Sequence, residues 1–163
     1  MRANIFDSDC EAIVNTINCV GVMGGGLAKQ FRMRYPEMNE AYQAACASGQ
    51  VKIGRMWNWW EYQTCLWVIN FPTKDDWREL SKLEYITEGL KDLRLTVEDL
   101  KLGSIAIPAL GCGLGGLDWN VVEPLIPAAL EGAGVNNATP LHTIEIYTPS
   151  GEKYTVKTNH EHY

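Results

Sequence analysis

Histidine and closely spaced cysteine are scarce in this sequence, and the shortage argues against several kinds of catalytic site. The chain has three histidines, His142, His160 and His162. Its five cysteines are widely spaced, with no CxxC pair and no neighbouring histidine. Zinc sites need Cys and His ligands at short spacings, and a Ser-His-Asp or Cys-His centre needs an available histidine. We therefore expect no metal site, no disulfide framework and neither form of nucleophilic catalysis.

Positive charge and long hydrophobic runs are also in short supply. Lys and Arg total 14 against 20 Asp and Glu, so the formal net charge is −6. No overall positive field attracts nucleic acid or an anionic membrane, so any polyanion must be held by local contacts. The longest apolar stretches, such as residues 65–71, are far shorter than the roughly 20 residues of a membrane span. Because Met1 and Arg2 lead into no signal-peptide core, we expect a cytoplasmic protein without membrane contact.

Strand and helix patterns alternate along the chain. Four segments are short, rich in β-branched or aromatic residues and bounded by turn residues, which predicts strands over residues 11–18, 65–71, 104–110 and 143–148. The second and third are apolar on both alternating faces, as expected of strands covered by helices on both sides. With 163 residues and no repeat or linker, the sequence predicts one α/β domain spanning residues 1–163.

Helices are predicted between these strands. Apolar residues at helical spacing, together with Pro and Gly at helix ends, predict helices over residues 26–34, 36–48, 81–101 and 121–129. Pro127 falls in the interior of the last helix, where proline costs about 3 kcal/mol. Residues 56–60 contain three tryptophans and predict an extra strand or an aromatic flap.

Two glycine clusters follow two of the predicted strands. The first glycine loop, residues 19–26, ends in Gly24-Gly25-Gly26, and the second glycine loop, residues 111–116, follows the strand that ends at Leu110. Ligands of open α/β sheets bind beyond the carboxyl ends of the strands, and backbone N–H groups there can hold a diphosphate. The alternative is that each cluster is only a tight turn. The clusters match neither GxxxxGK[ST] nor the dinucleotide fingerprint, which disfavours nucleotide hydrolysis and dinucleotide redox chemistry.

Several segments resemble a known family. Residues 14–18 (VNTIN), 21–28 (GVMGGGLA) and 107–113 (IPALGCG) together resemble the macrodomain, the module that binds ADP-ribose. More narrowly, residues 70–74 (NFPTK) and 113–119 (GLGGLDW) resemble the DarG-type DNA ADP-ribosyl glycohydrolases, antitoxins that remove ADP-ribose from DNA bases. The resemblance extends over residues 3–149 and implies a three-layer α/β/α fold with a central mixed sheet.

The resemblance also implies a site, residue by residue. Asn18 would act on the distal ribose through a hydrogen bond, and Asn4 and Ile5 would contact the adenine. Where some related hydrolases place an aspartate, this chain has Gly115, which leaves Lys74 as the catalytic candidate. The diphosphate and ribose would be enclosed by Gly24, Gly25, Gly26, Leu27, Pro108, Gly111, Cys112, Gly113, Leu114 and Gly115. The implied partners are ADP-ribose, ADP-ribosylated DNA and a cognate DNA ADP-ribosyltransferase toxin, with no cofactor and a monomeric protein.

Lys74 is also a candidate on position alone. It follows an apolar strand and a predicted Pro-Thr turn, which brings its amine to the strand end beside the glycine loops. A partly desolvated lysine can act as a nucleophile, although most lysines after strands are simply solvated, and Asp75 and Asp76 follow directly. Trp77 and Arg78 are either a stacking surface for single-stranded bases or a core tryptophan and a surface arginine.

Three functions remain open at this point. The leading one is a DNA ADP-ribosyl glycohydrolase, in which Lys74 attacks the anomeric carbon directly or captures the aldehyde of an opened ribose as a Schiff base. The second is an ADP-ribose 1″-phosphate phosphatase. The third is a non-catalytic ADP-ribose-binding module. Lys74 favours the first.

Overall fold

The computed structural model describes residues 2–158, which form one six-stranded sheet with helices on both faces. The strands are β1 Ala12–Asn18, β2 Trp57–Glu61, β3 Leu66–Lys74, β4 Ser104–Ile107, β5 Thr143–Tyr147 and β6 Lys153–Lys157. The helices are α1 Gly26–Arg34, α2 Pro36–Ala47, α3 Leu83–Asp99, α4 Trp119–Val122 and α5 Leu125–Leu130. Single 3₁₀ turns occur at Ile5–Asp7 and Val135–Asn137.

The sheet is mixed, with the strand order β2-β3-β1-β4-β5-β6. The four inner strands, β3, β1, β4 and β5, run parallel to one another, and the two edge strands pair antiparallel to their neighbours. Since parallel strands end at a common edge, the chain leaves β1, β3, β4 and β5 on the same side of the molecule. Both glycine loops and Lys74 lie at that edge, which confirms the prediction of an α/β fold with a central mixed sheet.

Each face of the sheet carries its own hydrophobic core. Alternating side chains of β1 point to opposite faces, so that Val14 packs with α3 and α5 while Ile13 packs with α1 and α2. Phe31 of α1 and Tyr42 of α2 are fully buried on the second face. This two-sided burial gives the three-layer α/β/α arrangement that the sequence predicted.

Strand β3 is longer than predicted, and it corrects the expected Pro-Thr turn. Pro72 and Thr73 lie inside β3, where Pro72 is paired in register with Ile17 of β1. The pairing with β2 ends at Asn70, so Pro72 sits beyond the reach of β2 and its missing N–H removes no bond to that strand. Lys74 is therefore the last residue of the strand rather than the residue after a turn.

The predicted helix over residues 121–129 is wrong, and the correction explains its proline. The segment forms two short helices, α4 and α5, separated by Glu123 and Pro124. Pro127 is the third residue of α5, within the first turn, where a backbone N–H has no intrahelical acceptor. The tryptophan-rich segment is strand β2 rather than a flap, and strand β6 was not predicted. No helix within residues 2–158 is long and apolar enough to cross a membrane.

Candidate functional site

A cavity of about 800 Å³ opens at the carboxyl ends of the parallel strands. Most of the predicted site residues line it: Asn18, Gly24, Gly25, Gly26, Leu27, Lys74, Pro108, Gly111, Gly113, Leu114 and Gly115. The structure thus brings both glycine loops and the candidate lysine to one place, as the strand-end rule predicts.

Three predicted residues are not brought to the cavity. The Asn4 side chain accepts a hydrogen bond from the backbone N–H of Phe6 at 3.0 Å, and Ile5 is buried in the core. The Cys112 thiol donates a hydrogen bond to the carbonyl of Leu110, two residues earlier in the chain. Burial and the negative charge of Asp118 raise the pKa of Cys112 to about 11, so the thiol stays protonated. The adenine contact of Asn4 and Ile5 stays a prediction.

Trp77, for which a stacking surface was one of the two alternatives, also lines the cavity. Other lining residues were not predicted as site residues: Thr16, Ile17, Val22, Ala28, Thr73, Ala109 and Pro149. Ile17, Ala28, Thr73 and Ala109 are direct neighbours of predicted residues. Pro149 follows β5, the fourth parallel strand, so the strand-end rule that found the other loops could have found it.

The first glycine loop is held in shape by Asn18, the last residue of β1. The Asn18 amide nitrogen donates to the carbonyl of Val22 at 2.6 Å, and its Oδ1 accepts from the backbone N–H groups of Val20 and Val22 at 3.1 and 3.3 Å. The buried Tyr42 hydroxyl lies 2.7 Å from the Asn18 carbonyl and 2.9 Å from Oδ1. The carboxamide that was predicted to orient the ribose therefore uses its oxygen and one of its two amide protons to hold the loop. One amide proton is left for a ligand.

Helix α1 begins at the cavity with open donors. Gly25 caps the helix without a side-chain hydrogen bond, and Gly26, Leu27 and Ala28 form its first turn. The first N–H groups of any helix lack intrahelical acceptors, and these residues line the cavity. The helix start can therefore hold an anionic group such as a diphosphate.

The second glycine loop is folded by its own backbone. The N–H of Leu117 donates to the carbonyl of Gly111 at 2.9 Å, and the N–H of Gly116 donates to that of Gly113 at 3.2 Å. Gly111 and Gly116 have φ angles of 71° and 80°, a conformation that favours glycine. The N–H groups of Gly113 and Leu114 have no acceptor within residues 2–158 and form a second set of donors at the cavity.

Gly113 and Gly115 differ in the space around them. A Cβ on Gly113 would meet no atom within 4 Å, whereas a Cβ on Gly115 would lie 2.4 Å from both the Gly111 carbonyl oxygen and Ser81 Oγ. A side chain at position 115 is therefore excluded by the backbone of the loop itself. The aspartate that some related hydrolases carry there would not fit this loop.

Lys74 lines the cavity, and its amine lies near the segment that follows β3. Its Nζ donates to the carbonyl of Trp77 at 3.4 Å. The Asp76 carboxylate is taken by Arg78, with contacts of 2.8 and 3.0 Å, and within the described range no carboxylate forms an ion pair with Lys74. Among the lining residues that the structure describes, Lys74 alone carries an ionisable side chain.

The nearby thiol of Cys19 offers no competing nucleophile. Cys19 is the first residue of the first glycine loop, and burial together with the negative charge of Asp75 raises its pKa to about 12. A thiol needs to ionise to attack, so Cys19 stays inert near neutral pH. Within residues 2–158 no group of three or more His, Cys, Asp or Glu side chains could hold a metal ion.

The mixed sheet, the three layers and two glycine loops at one strand edge define a macrodomain. The Macro domain family model matches residues 14–126, and the chain belongs to this family. The DNA ADP-ribosyl glycohydrolase of Mycobacterium tuberculosis is 46% identical over 150 residues, which are 91% of this chain and 41% of that protein. That of Thermus aquaticus is 46% identical over 133 residues, which are 80% of this chain and 37% of that protein. The chain thus spans about two fifths of the length of these curated relatives.

Solved structures agree with the family. The macrodomain of Mycobacterium tuberculosis DarG superposes with a TM-score of 0.82 at 45% identity, covering 90% of this chain and 94% of that one. Thermosipho africanus DarTG in complex with ADP-ribose superposes with a TM-score of 0.79 at 29% identity, covering 93% of this chain and 41% of that one.

Proposed function

We propose that this macrodomain removes ADP-ribose from nucleobases of single-stranded DNA, with Lys74 as the catalytic residue. The observation that carries the proposal is that Lys74 is the only ionisable side chain on the cavity wall within residues 2–158. Acid-base hydrolysis most often uses a histidine or a carboxylate, and neither lines the cavity within residues 2–158. The identity to DNA ADP-ribosyl glycohydrolases supports the substrate.

The two glycine loops would bind the substrate in the cavity that Lys74 also lines. Their free N–H groups carry no net charge and belong to residues that line the cavity, so they can hold a diphosphate in a chain whose net charge is −6. These contacts exist before and after cleavage and give affinity rather than rate. Cleavage of the N-glycosidic bond would depend on Lys74. The second amide proton of Asn18 would donate to the ribose.

Lys74 has two routes to the same products. In direct attack, the neutral amine bonds to the anomeric carbon, the bond to the base breaks, and the departing base takes the amine proton; water then displaces the lysine. In the second route, the ribose ring opens to an iminium between the anomeric carbon and the base nitrogen, and the amine adds to that carbon and expels the base, which takes the amine proton. Water then hydrolyses the resulting lysine imine, which restores the amine and frees the aldehyde of ADP-ribose. Both routes leave the base unmodified in the DNA strand and release ADP-ribose.

The test uses ADP-ribosylated single-stranded DNA and two lysine variants. Lys74→Ala should lose the release of ADP-ribose while keeping the Kd for free ADP-ribose within about tenfold, or 1.4 kcal/mol. Lys91→Ala is the matched control, because Lys91 lies on α3 away from the cavity and pairs with Glu88. Borohydride added during turnover should attach ADP-ribose to the wild-type protein only if the imine forms.

The possible outcomes separate the candidate functions. Full turnover by a folded Lys74→Ala variant would make Lys74 a bystander. Tight ADP-ribose binding by the wild type without release from DNA would make the protein an ADP-ribose-binding module.

We also propose a DNA ADP-ribosyltransferase as the source of the modification that this protein reverses. A curated relative from Thermosipho africanus, 32% identical over 148 residues, is a fusion of a DNA ADP-ribosyl transferase with a DNA ADP-ribosyl glycohydrolase. Joining both activities in one chain supports a functional pair. Co-expression of this protein with such a transferase should lower the ADP-ribose content of cellular DNA, and Lys74→Ala should not.

A further inference from the structure

An exposed apolar rim lies along one side of the cavity mouth. We define it as Trp77, Leu80 and Leu114, whose exposed fractions are 52%, 68% and 71%. Trp77 and Leu114 line the cavity, and Leu80 lies against Gly116 of the second glycine loop. None of the three belongs to either hydrophobic core of the fold. An apolar surface of this kind beside a binding site points to a ligand rather than to folding.

The segment that carries Trp77 is tied down at both ends. At residues 75–81 the chain crosses from β3 to α3 without a helix or a strand. The N–H of Cys19 donates to the carbonyl of Asp75 at 3.0 Å, and the N–H of Ser81 donates to the carbonyl of Gly115 at 3.0 Å. The segment is thus fixed to the first glycine loop at one end and to the second at the other, so Trp77 is held in place beside the cavity.

The Arg78 guanidinium is hydrogen-bonded within this segment and is therefore not free to bind a ligand. Its guanidinium donates to both carboxylate oxygens of Asp76 at 3.0 and 2.8 Å, and its carbon lies 5.5 Å from the centre of the Trp77 ring. Hydrogen bonds from Arg78 lower the pKa of Asp76 to about 2, so the pair stays charged at any ordinary pH. Arg78 thereby covers one side of the indole, and the remaining exposed surface is aromatic.

We propose that Trp77 stacks on the unmodified nucleobase next to the ADP-ribosylated one, so that the enzyme reads its substrate as a single strand. The proposal rests on the proposed function. An indole can stack only on a base whose face is free, and such stacking is worth about 1–3 kcal/mol per base. Trp77 and Lys74 line the same cavity, and the Trp77 carbonyl accepts from Lys74 Nζ at 3.4 Å, so a base stacked on the indole would neighbour the base that carries the ADP-ribose.

The charge of the segment favours the base over the phosphate as the point of contact. Residues 75–81 carry Asp75, Asp76 and Glu79 against Arg78 alone, and the whole chain has a net charge of −6. Phosphate contacts would make DNA recognition strongly salt-dependent, whereas stacking of a neutral base would not. The contribution of Trp77 should therefore persist at raised ionic strength.

The experiment compares two substrates with and without a neighbouring base. Wild type, Trp77→Ala and Trp77→Phe are given an ADP-ribosylated single-stranded oligonucleotide and an ADP-ribosylated single nucleoside. For Trp77→Ala, the ratio of kcat/KM for the oligonucleotide to that for the nucleoside should fall about 5- to 150-fold, which corresponds to 1–3 kcal/mol. The loss should lie mainly in KM, and Trp77→Phe should recover most of it.

Trp60→Ala is the matched control, because Trp60 is 43% exposed on β2 and does not line the cavity. It should leave the ratio unchanged. An equal loss on both substrates in Trp77→Ala, or a loss that disappears between low and high salt, would overturn the stacking role while leaving the proposed function intact. Release from neither substrate by the wild type would overturn the proposed function, and the stacking role with it.

Discussion

The first glycine loop is held by side chains, whereas the second is held by its own backbone. Asn18 donates to and accepts from the first loop, and Tyr42 of α2 holds Asn18 in turn. In the second loop, backbone bonds within residues 111–117 close the turn without a side chain. Both loops offer open N–H groups to one cavity, so similar anion-binding geometry arises in two ways. The two loops should therefore differ in which substitutions they tolerate.

The largest effect is expected from Gly115→Ala in the second loop. The new Cβ would lie 2.4 Å from the Gly111 carbonyl oxygen, which is backbone and cannot move aside cheaply. We expect a stability loss of about 2–3 kcal/mol from overpacking and an ADP-ribose affinity at least about 100-fold lower. Thermal unfolding and calorimetric titration measure the two quantities.

Gly113→Ala is the matched control for that substitution, because a Cβ there meets nothing within 4 Å. Its stability should stay within about 0.5 kcal/mol of wild type. Equal stability losses at positions 113 and 115 would show that the loop backbone does not discriminate between them.

The next largest effect should come from Gly113→Glu, and it should fall on binding alone. The position has no positive φ and open space, so the fold accepts a side chain. Gly113 lines the cavity, and under the proposed function a carboxylate there would repel the diphosphate of the ligand. We expect a folded protein with ADP-ribose affinity at least about 100-fold weaker, or 2.7 kcal/mol. A variant that binds as tightly as wild type would remove the second loop from the ligand site.

Tyr42→Phe tests the side-chain support of the first loop. Burial raises the pKa of Tyr42, so its hydroxyl is a proton donor under all ordinary conditions. Without it, Asn18 loses one donor at its carbonyl and Oδ1 but keeps the two backbone N–H groups at Oδ1. We expect a stability loss of about 1 kcal/mol and an affinity loss of a few-fold, up to about tenfold.

Tyr154→Phe is the control for that variant. Its hydroxyl donates to Glu123 at 2.9 Å, and neither residue lines the cavity, so the affinity for ADP-ribose should not change. If Tyr42→Phe lowers stability but leaves affinity untouched, Asn18 needs no help to shape the first loop.

The success of the sequence prediction at the cavity has a physical reason. Strands that are apolar on both faces imply a parallel sheet, and a parallel sheet collects strand ends at one edge. That inference places Gly24–Gly26, Gly113 and Lys74 together without any knowledge of contacts. Local pattern did not predict that β3 continues through Pro72. A strand tolerates the missing N–H of Pro72 only where its neighbour, here β2, has already stopped pairing.

Long-range side-chain contacts could not be predicted from local patterns. Tyr42 reaches Asn18 across 24 positions, and seven tyrosines in the sequence carry no local mark that would single it out. Asn4 was named for adenine contact by resemblance, and no local pattern showed that its side chain also caps a 3₁₀ turn. Pro127 was assigned to the interior of one long helix, whereas α4 ends at Val122 and α5 begins at Leu125.

The smallest effect is expected from Gly25→Ala in the first loop, which gives the contrast with Gly115→Ala its sharpest form. Gly25 has φ −149° and ψ 167°, an extended conformation that any residue adopts. Its Cβ would come 3.3 Å from Leu114 Cδ1, the mobile end of a side chain that is 71% exposed. Stability should therefore stay within about 0.5 kcal/mol.

The affinity of Gly25→Ala for ADP-ribose should fall by less than about tenfold, because Leu114 must shift at the cavity mouth. Adding Leu114→Ala should restore it, and the double-mutant cycle for binding measures the coupling between the two loops. A coupling of zero would mean that the loops act independently. A loss as large as that of Gly115→Ala, with or without Leu114, would mean that both loops depend on glycine for the same backbone reason and that the contrast between them is wrong.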